Sequence, residues 1–519
     1  MRSASAGTLF NSFSNMLFRN ILLSAGLLLG ATTAFAAPQQ KAAKPHIIVT
    51  CDPELDDNNS MIRFLLYSSD FDVRGLIYAS SQFHWKGDGK GTTWWMPGRE
   101  YSKLPGTKPM TSYRYAPDER FIDADVDCYE KAYPNLIKHH DGYPSPAYLR
   151  SKIREGNVSF DSDMSKDTPG SELIKQELLD PDTTTLFLQV WGGASTIARA
   201  LKSIEDIYSG QANWQAIKDH VSKKAVLCMS GDQDDTYTHY IHPFWPGIKT
   251  LEAGGMQVNL TFFGPITASE EDKVYYSPEW TQKNIRSKGA FGERYRVWGD
   301  GKQMVKGDRF DFFGVCELGK EELQRQGYVL WMPLQPKGTF ISEGDTFCYL
   351  NMINNGLDAW KNQTWGGWTG ARLDIPKDVD SRKVSSYTKE QIGFPDFTPA
   401  VQNGFAARMA WSVTPNYKDA NHEPVIDGPA TMIAAPGQTI TLKCKVSDPD
   451  NNKVAVEWMQ FKVGGTKDLL SFGNAKSATT TVTIPATAKS GEQLHAILQA
   501  TDNGTPALTH YKRVIITVK

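Results

Sequence analysis

The residues best suited to chemistry are four carboxylates that follow the first strongly apolar run of the chain. In IIVTCDPELDD (residues 47–57), Asp52, Glu54, Asp56 and Asp57 fall within six residues. Helix capping and the helix dipole explain one acid at a helix start, but not four. Carboxylates packed this closely raise one another's pKa unless a cation compensates them. Because calcium prefers several oxygen ligands, the pattern favours a calcium site over capping alone.

The elements around these acids predict where they lie. HIIVT reads as a buried strand, and the apolar residues of 59–68 recur with helical spacing. Strand-like and helix-like runs then alternate through VRGLIYAS, residues 171–179 with Ser171 as a candidate cap, TTLFLQV, residues 194–203 and KAVLCMSG. This alternation predicts an α/β domain with a mostly parallel sheet. Such sheets bind ligands at the carboxyl ends of their strands, which is where the acids fall.

Two further sequence patterns complete the predicted domain organisation. Residues 85–170 and 232–330 have little periodicity and are rich in aromatic residues, glycine and proline, which predicts long insertions around the sheet. From residue 421, short runs with period-two alternation predict an all-β, Ig-like sandwich. We therefore expect an α/β domain at 46–411 and a sandwich at 421–519, joined by a polar linker at 412–424.

The composition excludes two classes of protein. Hydrophobic residues make up 40% of the 519 residues and charged residues 22%, unlike a disordered chain. A formal charge of -2 provides no positive surface for nucleic acid. The six cysteines are scattered, without the paired spacing of a zinc site.

The first 36 residues predict export. They carry Arg2 and Arg19 without an acid, then an apolar run at 21–35 that ends in the small-residue motif Ala34-Phe35-Ala36. This is the pattern of a cleaved signal peptide, and the run is shorter than the roughly 20 residues of a membrane-spanning helix. We expect a periplasmic or extracellular protein that is not held in a membrane after cleavage, and the oligomeric state stays open.

Three segments resemble the inosine–uridine-preferring nucleoside hydrolases. They are Asp52-Pro-x-x-Asp56-Asp57 with the later Gly75-Leu-Ile, the run LFLQVWGGASTIA at 186–198, and Glu343-Gly344-Asp345. A closer resemblance, over nearly all of 46–519, is to bacterial cellulose-binding proteins that join a nucleoside-hydrolase-like domain to a β-sandwich. The segments that carry it are DPELDDNNSMIRFLLYS, SSQFHWKGDGKGTTW, SGDQDD, SEGDTF and ATDNGTPALTHYKRVIITV.

The resemblance implies a calcium ion that binds sugar hydroxyls and a water molecule. Asp52 would ligate calcium and act as the general base on that water. Asp57 would ligate it through both oxygens. The backbone carbonyl of Trp191 and the carboxylate of Asp345 would complete the ligands from the protein. A metal that lowers the pKa of water, beside a carboxylate that takes its proton, suits hydrolysis.

Substrate contacts are expected from other side chains. By resemblance, Asp56 would hydrogen-bond a sugar hydroxyl, and Gln82 stands where the family has a substrate-binding Asn. Trp85 follows the second strand and is a candidate for stacking on a sugar, with packing inside a loop as the alternative. Asp234 follows another strand and is a candidate sugar ligand, with loop capping as the alternative. His84 is a candidate leaving-group acid or a structural residue.

Departures from the family limit the predicted substrate. Thr50 stands where the usual enzymes have a further Asp, and Gly344 stands where many have a His that protonates the leaving base. The calcium-and-sugar half of the site is thus retained and the nucleobase half is not. The leading prediction is calcium-dependent hydrolysis of a glycosidic bond in a carbohydrate or related glycoside. The alternatives are a non-catalytic polysaccharide-binding protein, for cellulose, and a nucleoside salvage enzyme.

Overall fold

A computed structural model describes residues 43–103, 108–252, 258–370, 394–463 and 468–519 of the chain. The predicted signal peptide at 1–36 lies outside these described residues. Within them, no helix combines the length and the apolar character that crossing a membrane requires.

The first half of the chain forms a six-stranded sheet in which every neighbouring pair of strands is parallel. Its order is β3-β2-β1-β4-β5-β6. Four of the strands are buried almost throughout, as expected for a parallel sheet covered on both faces. The strands are β1 (His46–Cys51), β2 (Asp72–Tyr78), β3 (Ile153–Glu155), β4 (Leu186–Val190), β5 (Ala225–Met229) and β6 (Lys249–Glu252).

Helices cover both faces of this sheet. Successive residues of β1 point to opposite sides, since Ile47 and Val49 belong to one hydrophobic cluster and Ile48 belongs to another. The longer helices are α1 (Leu55–Leu66), α2 (Phe121–His139), α3 (Pro146–Lys152), α4 (Pro169–Leu179), α5 (Ser195–Tyr208), α6 (Trp214–Lys224) and α7 (Thr398–Trp411). Shorter helical turns lie at Glu100–Lys103, His242–Phe244, Gly264–Thr267, Pro278–Thr281, Gly289–Arg294, Lys320–Arg325 and Phe347–Leu350.

The start of α4 corrects one local expectation. Thr168, not Ser171, is the N-cap, and Pro169 is the first helical residue. The Thr168 hydroxyl accepts a hydrogen bond from the Ser171 N–H at 3.1 Å, and the Thr168 N–H donates to the Ser171 hydroxyl at 2.8 Å. Ser171 therefore belongs to a reciprocal capping box one turn into the helix.

The order in which strands are added to the sheet reverses between β1 and β4. From β1 the chain adds β2 and β3 on one side, and it then crosses over to add β4, β5 and β6 on the other. The residue after β4 stays next to β1, because the Trp191 N–H donates to the Thr50 carbonyl at 2.9 Å. A crevice at such a switch point is where open parallel sheets bind ligands.

The C-terminal part contains β-strands arranged in small sheets, which confirms the predicted all-β region. The sheets have the orders β11-β14-β15-β8, β12-β13-β9 and β10-β7. The strands are β7 (Val425–Asp427), β8 (Thr431–Ala434), β9 (Thr439–Lys443), β10 (Lys445–Ser447), β11 (Val454–Phe461), β12 (Ser471–Phe472), β13 (Thr479–Thr483), β14 (Gln493–Asp502) and β15 (Thr509–Val518).

The strand region packs directly against the α/β region. Phe461 and Tyr511 belong to the same hydrophobic cluster as β1 and α1. The buried Arg513 guanidinium donates to the carbonyls of Leu357 at 2.6 Å and Gly366 at 2.8 Å. The segment predicted as a linker is exposed at residues 415–419, but its end contributes buried side chains such as His422 to this contact.

Candidate functional site

Asp52 is the first residue after β1, and its side chain is fully buried. Its Oδ2 accepts hydrogen bonds from the Ser81 hydroxyl at 2.5 Å and from His84 Nδ1 at 3.1 Å. Ser81 and His84 both come from the segment that follows the neighbouring strand β2. The Asp52 Oδ1 is buried and has no hydrogen-bond partner in the described part of the chain. One oxygen is thus fixed in place and the other is left for a ligand.

Three glycines allow the backbone to approach these acids. A Cβ on Gly192 would lie 2.5 Å from Asp52 Oδ1. A Cβ on Gly344 would collide with Asp56 Oδ2, and one on Gly193 would collide with Asp234 Oδ2. Any larger residue at these positions would displace a carboxylate, which gives a physical reason for the Gly-Gly turn after β4.

The other acids of the strand-end segment gather around Asp52. Asp57 Oδ1 accepts a hydrogen bond from the Asp52 N–H at 3.2 Å. Asp56 Oδ2 lies 3.4 Å from the Ser342 hydroxyl, which donates to it. Its Oδ1 is buried without a hydrogen-bond partner among the described residues. We call Asp52, Glu54, Asp56, Asp57 and Asp345 the site carboxylates.

The site carboxylates share an unfavourable electrostatic environment. Burial raises the pKa of Asp56 to about 7. Burial, followed by the charges of neighbouring acids, raises the pKa values of Glu54, Asp57 and Asp345 well above their ordinary range. The charge of Asp52 contributes to the raised pKa values of Glu54, Asp57 and Asp345. Such a group favours a bound cation.

The donor atoms fit a divalent cation. Ligand atoms of Asp52, Glu54 and His84 lie within 4.8 Å of one another, and so do those of Glu54, Asp56 and Asp57. Two carboxylate oxygens, on Asp52 and Asp56, are buried and unsatisfied within the described ranges. Carboxylate oxygens are the ligands that hard divalent cations prefer. These unsatisfied oxygens are what a bound cation would complete.

The structure thus brings together the predicted ligands Asp52, Asp57 and Asp345. Trp191 directly follows β4 beside the Gly192 turn, and its carbonyl accepts a hydrogen bond from Gln233 Nε2 at 2.7 Å. Glu54 was recognised as part of the acid cluster but was not assigned a role. The structure places it in both groups of ligand atoms.

Two predicted substrate residues are buried in structural contacts. The Trp85 ring has no exposed surface and packs against Tyr101, with ring centroids 5.7 Å apart. The Asp234 carboxylate accepts hydrogen bonds from the backbone N–H groups of Ala194 and Ser195, both at 3.1 Å, and so holds the start of α5. Stacking on a sugar needs an exposed ring face, so this placement gives the Trp85 prediction no support, and it gives none to Asp234.

Gln82 is half-buried at the edge of this region. Its Oε1 accepts a hydrogen bond from the Glu100 N–H at 3.3 Å. Its predicted contact with substrate stays a prediction.

A cleft beside the site carboxylates was missed by sequence reasoning. It is open to solvent, and the space between its lining atoms, open solvent included, is about 280 Å³. Glu54 and His84 line it on the side of the sheet, and the insertion between residues 262 and 331 supplies most of the remaining lining: Phe262, Met304, Asp308, Asp311, Phe313 and Trp331, together with Leu55 and Arg114. The available signal was the mixture of acids and aromatic residues in GDRFDFFG (307–314).

Comparison with known protein families shows the family to which the chain belongs. Residues 46–371 match the family described as "Cellulose-binding Sde182, nucleoside hydrolase-like domain". Residues 439–518 match the family described as "Cellulose-binding protein Sde0182, C-terminal domain". The chain belongs to the cellulose-binding Sde182 family. The resemblance expected from the sequence is thereby confirmed.

Solved structures support the fold. A nucleoside hydrolase-related hypothetical protein from Saccharophagus degradans, described as associated with carbohydrate metabolism, matches with a TM-score of 0.64 and 24% identity, over 92% of this chain and 100% of that one. This likeness shows a shared fold.

Two further matches cover only a small part of this chain. Murine CRIg matches with a TM-score of 0.15 and 11% identity, over 18% of this chain and 98% of that one. The titin M3 domain matches with a TM-score of 0.14 and 13% identity, over 18% of this chain and 96% of that one. Both scores are too low to bear on the fold. No curated protein is significantly similar to the chain in sequence.

Proposed function

We propose that this protein hydrolyses a glycosidic bond in a carbohydrate, in a calcium-dependent reaction at the carboxyl ends of β1, β2 and β4. The observation that carries the proposal is the pair of buried oxygens on Asp52 and Asp56 that have no hydrogen-bond partner among the described residues. Beside them, burial and neighbouring acids raise the pKa values of Glu54 and Asp57. Burying charge without compensation costs free energy, so a bound ligand that supplies positive charge would stabilise a site of this kind.

Asp52, Asp57, Asp345 and the Trp191 carbonyl would hold the calcium ion. Once bound, calcium supplies a positive charge that fixes sugar hydroxyls and makes water more acidic. Asp56 would accept a hydrogen bond from a sugar hydroxyl through its unsatisfied oxygen.

Asp52 is arranged to act as a base. Ser81 and His84 fix its Oδ2, so its Oδ1 has a defined direction. In the proposed reaction a water oxygen bonds to the anomeric carbon while the glycosidic C–O bond breaks. Asp52 takes one proton from that water, and the departing oxygen receives one proton from solvent, so one water molecule is consumed. Negative charge beside the sugar stabilises the oxocarbenium-like transition state.

The second candidate function is carbohydrate binding without catalysis. The family is described by cellulose binding, not by an activity. Thr50 has no carboxyl group to add to the site, and its buried hydroxyl donates to the Gln189 carbonyl at 3.0 Å. On this hypothesis the site carboxylates and calcium would retain a glycan and release nothing.

We further propose that the protein acts outside the cytoplasm. The signal-peptide pattern of residues 1–36 supports export. A polymer such as cellulose is met outside the cell, which agrees with the family description.

The test is product release with and without calcium. The exported protein is incubated with aryl glycosides, neutral oligosaccharides and ribonucleosides, in calcium or in chelator. We expect sugar release in calcium alone, and a loss of at least 100-fold in kcat for Asp52→Asn, because the base is removed.

The matched control is Asp219→Asn, an exposed acid on α6 that should leave the rate unchanged. Calcium-dependent retention on insoluble cellulose without any release would support the binding hypothesis instead. If the protein neither releases sugar nor is retained on cellulose, both hypotheses are overturned.

A further inference from the structure

The cleft beside the site carboxylates has an aromatic wall suited to a sugar ring. Trp331 is 40% exposed, although it is held firmly in place. Phe262 packs edge-on against it with ring centroids 4.9 Å apart, and the Trp331 Nε1–H donates to the Phe310 carbonyl at 3.3 Å. A large ring that is both exposed and fixed offers an apolar face at little entropic cost.

The lining of the cleft also carries a carboxylate oxygen, on Asp311, that has no hydrogen-bond donor among the described residues. Asp311 is only 4% exposed. Its Oδ2 accepts hydrogen bonds from the Met304 N–H at 2.8 Å and from Arg296 Nη1 at 3.3 Å. Its Oδ1 is buried and has no partner within the described residues. A ligand hydroxyl that donates to this oxygen would remove the cost of leaving it unsatisfied.

The charge of the lining selects against anions. Glu54, Asp308 and Asp311 are acidic, and Arg114 is the basic residue among the lining side chains. The Arg114 guanidinium is already bonded to Asp308 at 2.9 Å and to Glu100 at 3.1 Å. A phosphate, sulfate or uronate would therefore be repelled, whereas a neutral polyhydroxylated ring would not.

We propose that this cleft is a second sugar subsite, which holds the neutral sugar on the leaving-group side of the bond beside Asp52. The substrate class that follows is an oligo- or polysaccharide of neutral sugars, bound across both subsites. The assignment of a leaving-group side rests on the proposed hydrolytic function, whereas the binding of a neutral sugar in the cleft does not.

The test measures binding and turnover separately. Affinity for cellotetraose is measured by titration calorimetry in calcium, and release from cellotetraose and from an aryl monoglycoside is measured under the same conditions. Trp331→Ala should weaken cellotetraose affinity at least tenfold, and Trp331→Phe should restore most of it. Asp311→Asn should weaken cellotetraose affinity about fivefold, because a hydroxyl of the bound sugar loses its acceptor.

Phe244→Ala is the matched control, since Phe244 is 49% exposed and does not line the cleft. Its affinity for cellotetraose should equal that of the unmodified protein. A disaccharide that carries a uronic acid should bind at least tenfold more weakly than its neutral counterpart.

The two proposals fail in different ways. No release by the unmodified protein, combined with weakened binding in Trp331→Ala, would overturn the hydrolase and retain the sugar subsite. Release that is unchanged in Trp331→Ala, with unchanged affinity, would retain the hydrolase and overturn the subsite. A ribonucleoside that binds through Trp331 when cellotetraose does not would overturn the sugar assignment.

Discussion

Two groups of largely buried acids in this protein differ in how far basic side chains compensate them. At the joint between the α/β region and the strands, Arg408 lies 3.5 Å from Asp70 and 3.7 Å from Glu423, and His510 lies 3.6 Å from Glu423. Burial alone raises the pKa of Glu423, but His510 and Arg408 outweigh it and lower the pKa to about 2. At the site carboxylates, burial and like charges act in the same direction, upward.

The same contrast occurs between two residues of one loop. Glu343 is bonded to Arg63 through a buried ion pair, and its Oε1 also accepts a hydrogen bond from the Tyr295 hydroxyl at 2.6 Å. Asp345, two residues later, has other acids as its main electrostatic neighbours. Burial by itself therefore does not identify a functional acid. Acids whose main charged neighbours are other acids, such as Asp57 and Asp345, are the better candidates for a functional role, because folding alone gives no reason to keep such a charge.

The largest expected effect is on the buried ion pair. Arg63→Met would leave Glu343 buried without its cation, and we expect the free energy of unfolding to fall by ~3–5 kcal/mol. Urea unfolding followed by circular dichroism measures this. Arg150→Met is the control, because its partners Asp127 and Glu130 are largely exposed and its loss should cost less than ~1 kcal/mol. A cost below ~1 kcal/mol for Arg63→Met would contradict the contrast drawn above.

The second effect concerns pH at the joint. The pKa of Glu423 is about 2 in the folded protein against an ordinary 4.5. Its stabilising contribution is therefore present above pH ~4.5 and is lost as the pH falls through ~2. Glu423→Gln should lower the free energy of unfolding by ~2–3 kcal/mol at pH 7, and by much less at pH 2.

Unfolding is measured by urea titration at several pH values between 2 and 7. Glu457→Gln, on an exposed position of β11, is the control and should show no such pH dependence. A Glu423→Gln effect that is constant with pH would show that the charge of Glu423 is not what stabilises the joint.

The smallest expected effect has the opposite sign. Asp345→Asn removes one uncompensated charge, so in chelator it should raise the free energy of unfolding by ~1–2 kcal/mol. In calcium the same variant should lose the added stability that the ion gives, which is ~2.7 kcal/mol at 100 times its Kd. Melting temperatures with and without calcium test both parts, with Asp219→Asn as the control. If Asp345→Asn instead lowers the free energy of unfolding in chelator, Asp345 stabilises the fold, as Glu343 does.

The sequence predicted the sheet and the acids at its edge because both depend on local patterns. Strand periodicity located β1, and the position of Asp52 after it followed directly. The sequence could not predict that His84 contacts Asp52, since that contact depends on the pairing of β2 with β1. The burial of Trp85 and the use of Asp234 to hold α5 also depend on packing between distant segments.

The cleft shows the same limit more strongly. Its aromatic wall and its acids come from an insertion without regular periodicity, more than 200 residues after Glu54. No local pattern states which side of the sheet such an insertion covers. The acids and aromatic residues of 307–314 were visible in the sequence, but their position beside the site carboxylates was not.

Arg513 has a consequence for how the protein is made. Its guanidinium binds the Leu357 carbonyl across 156 residues of chain, and the neighbouring Tyr511 belongs to the cluster that contains β1. During synthesis the core begun by β1 stays open until β15 has been produced. Contacts between such distant segments form slowly, so the growing chain exposes apolar surface for longer than a chain of separate modules would. A premature stop codon before residue 511 would remove Tyr511, a side chain that packs in the core of the first domain.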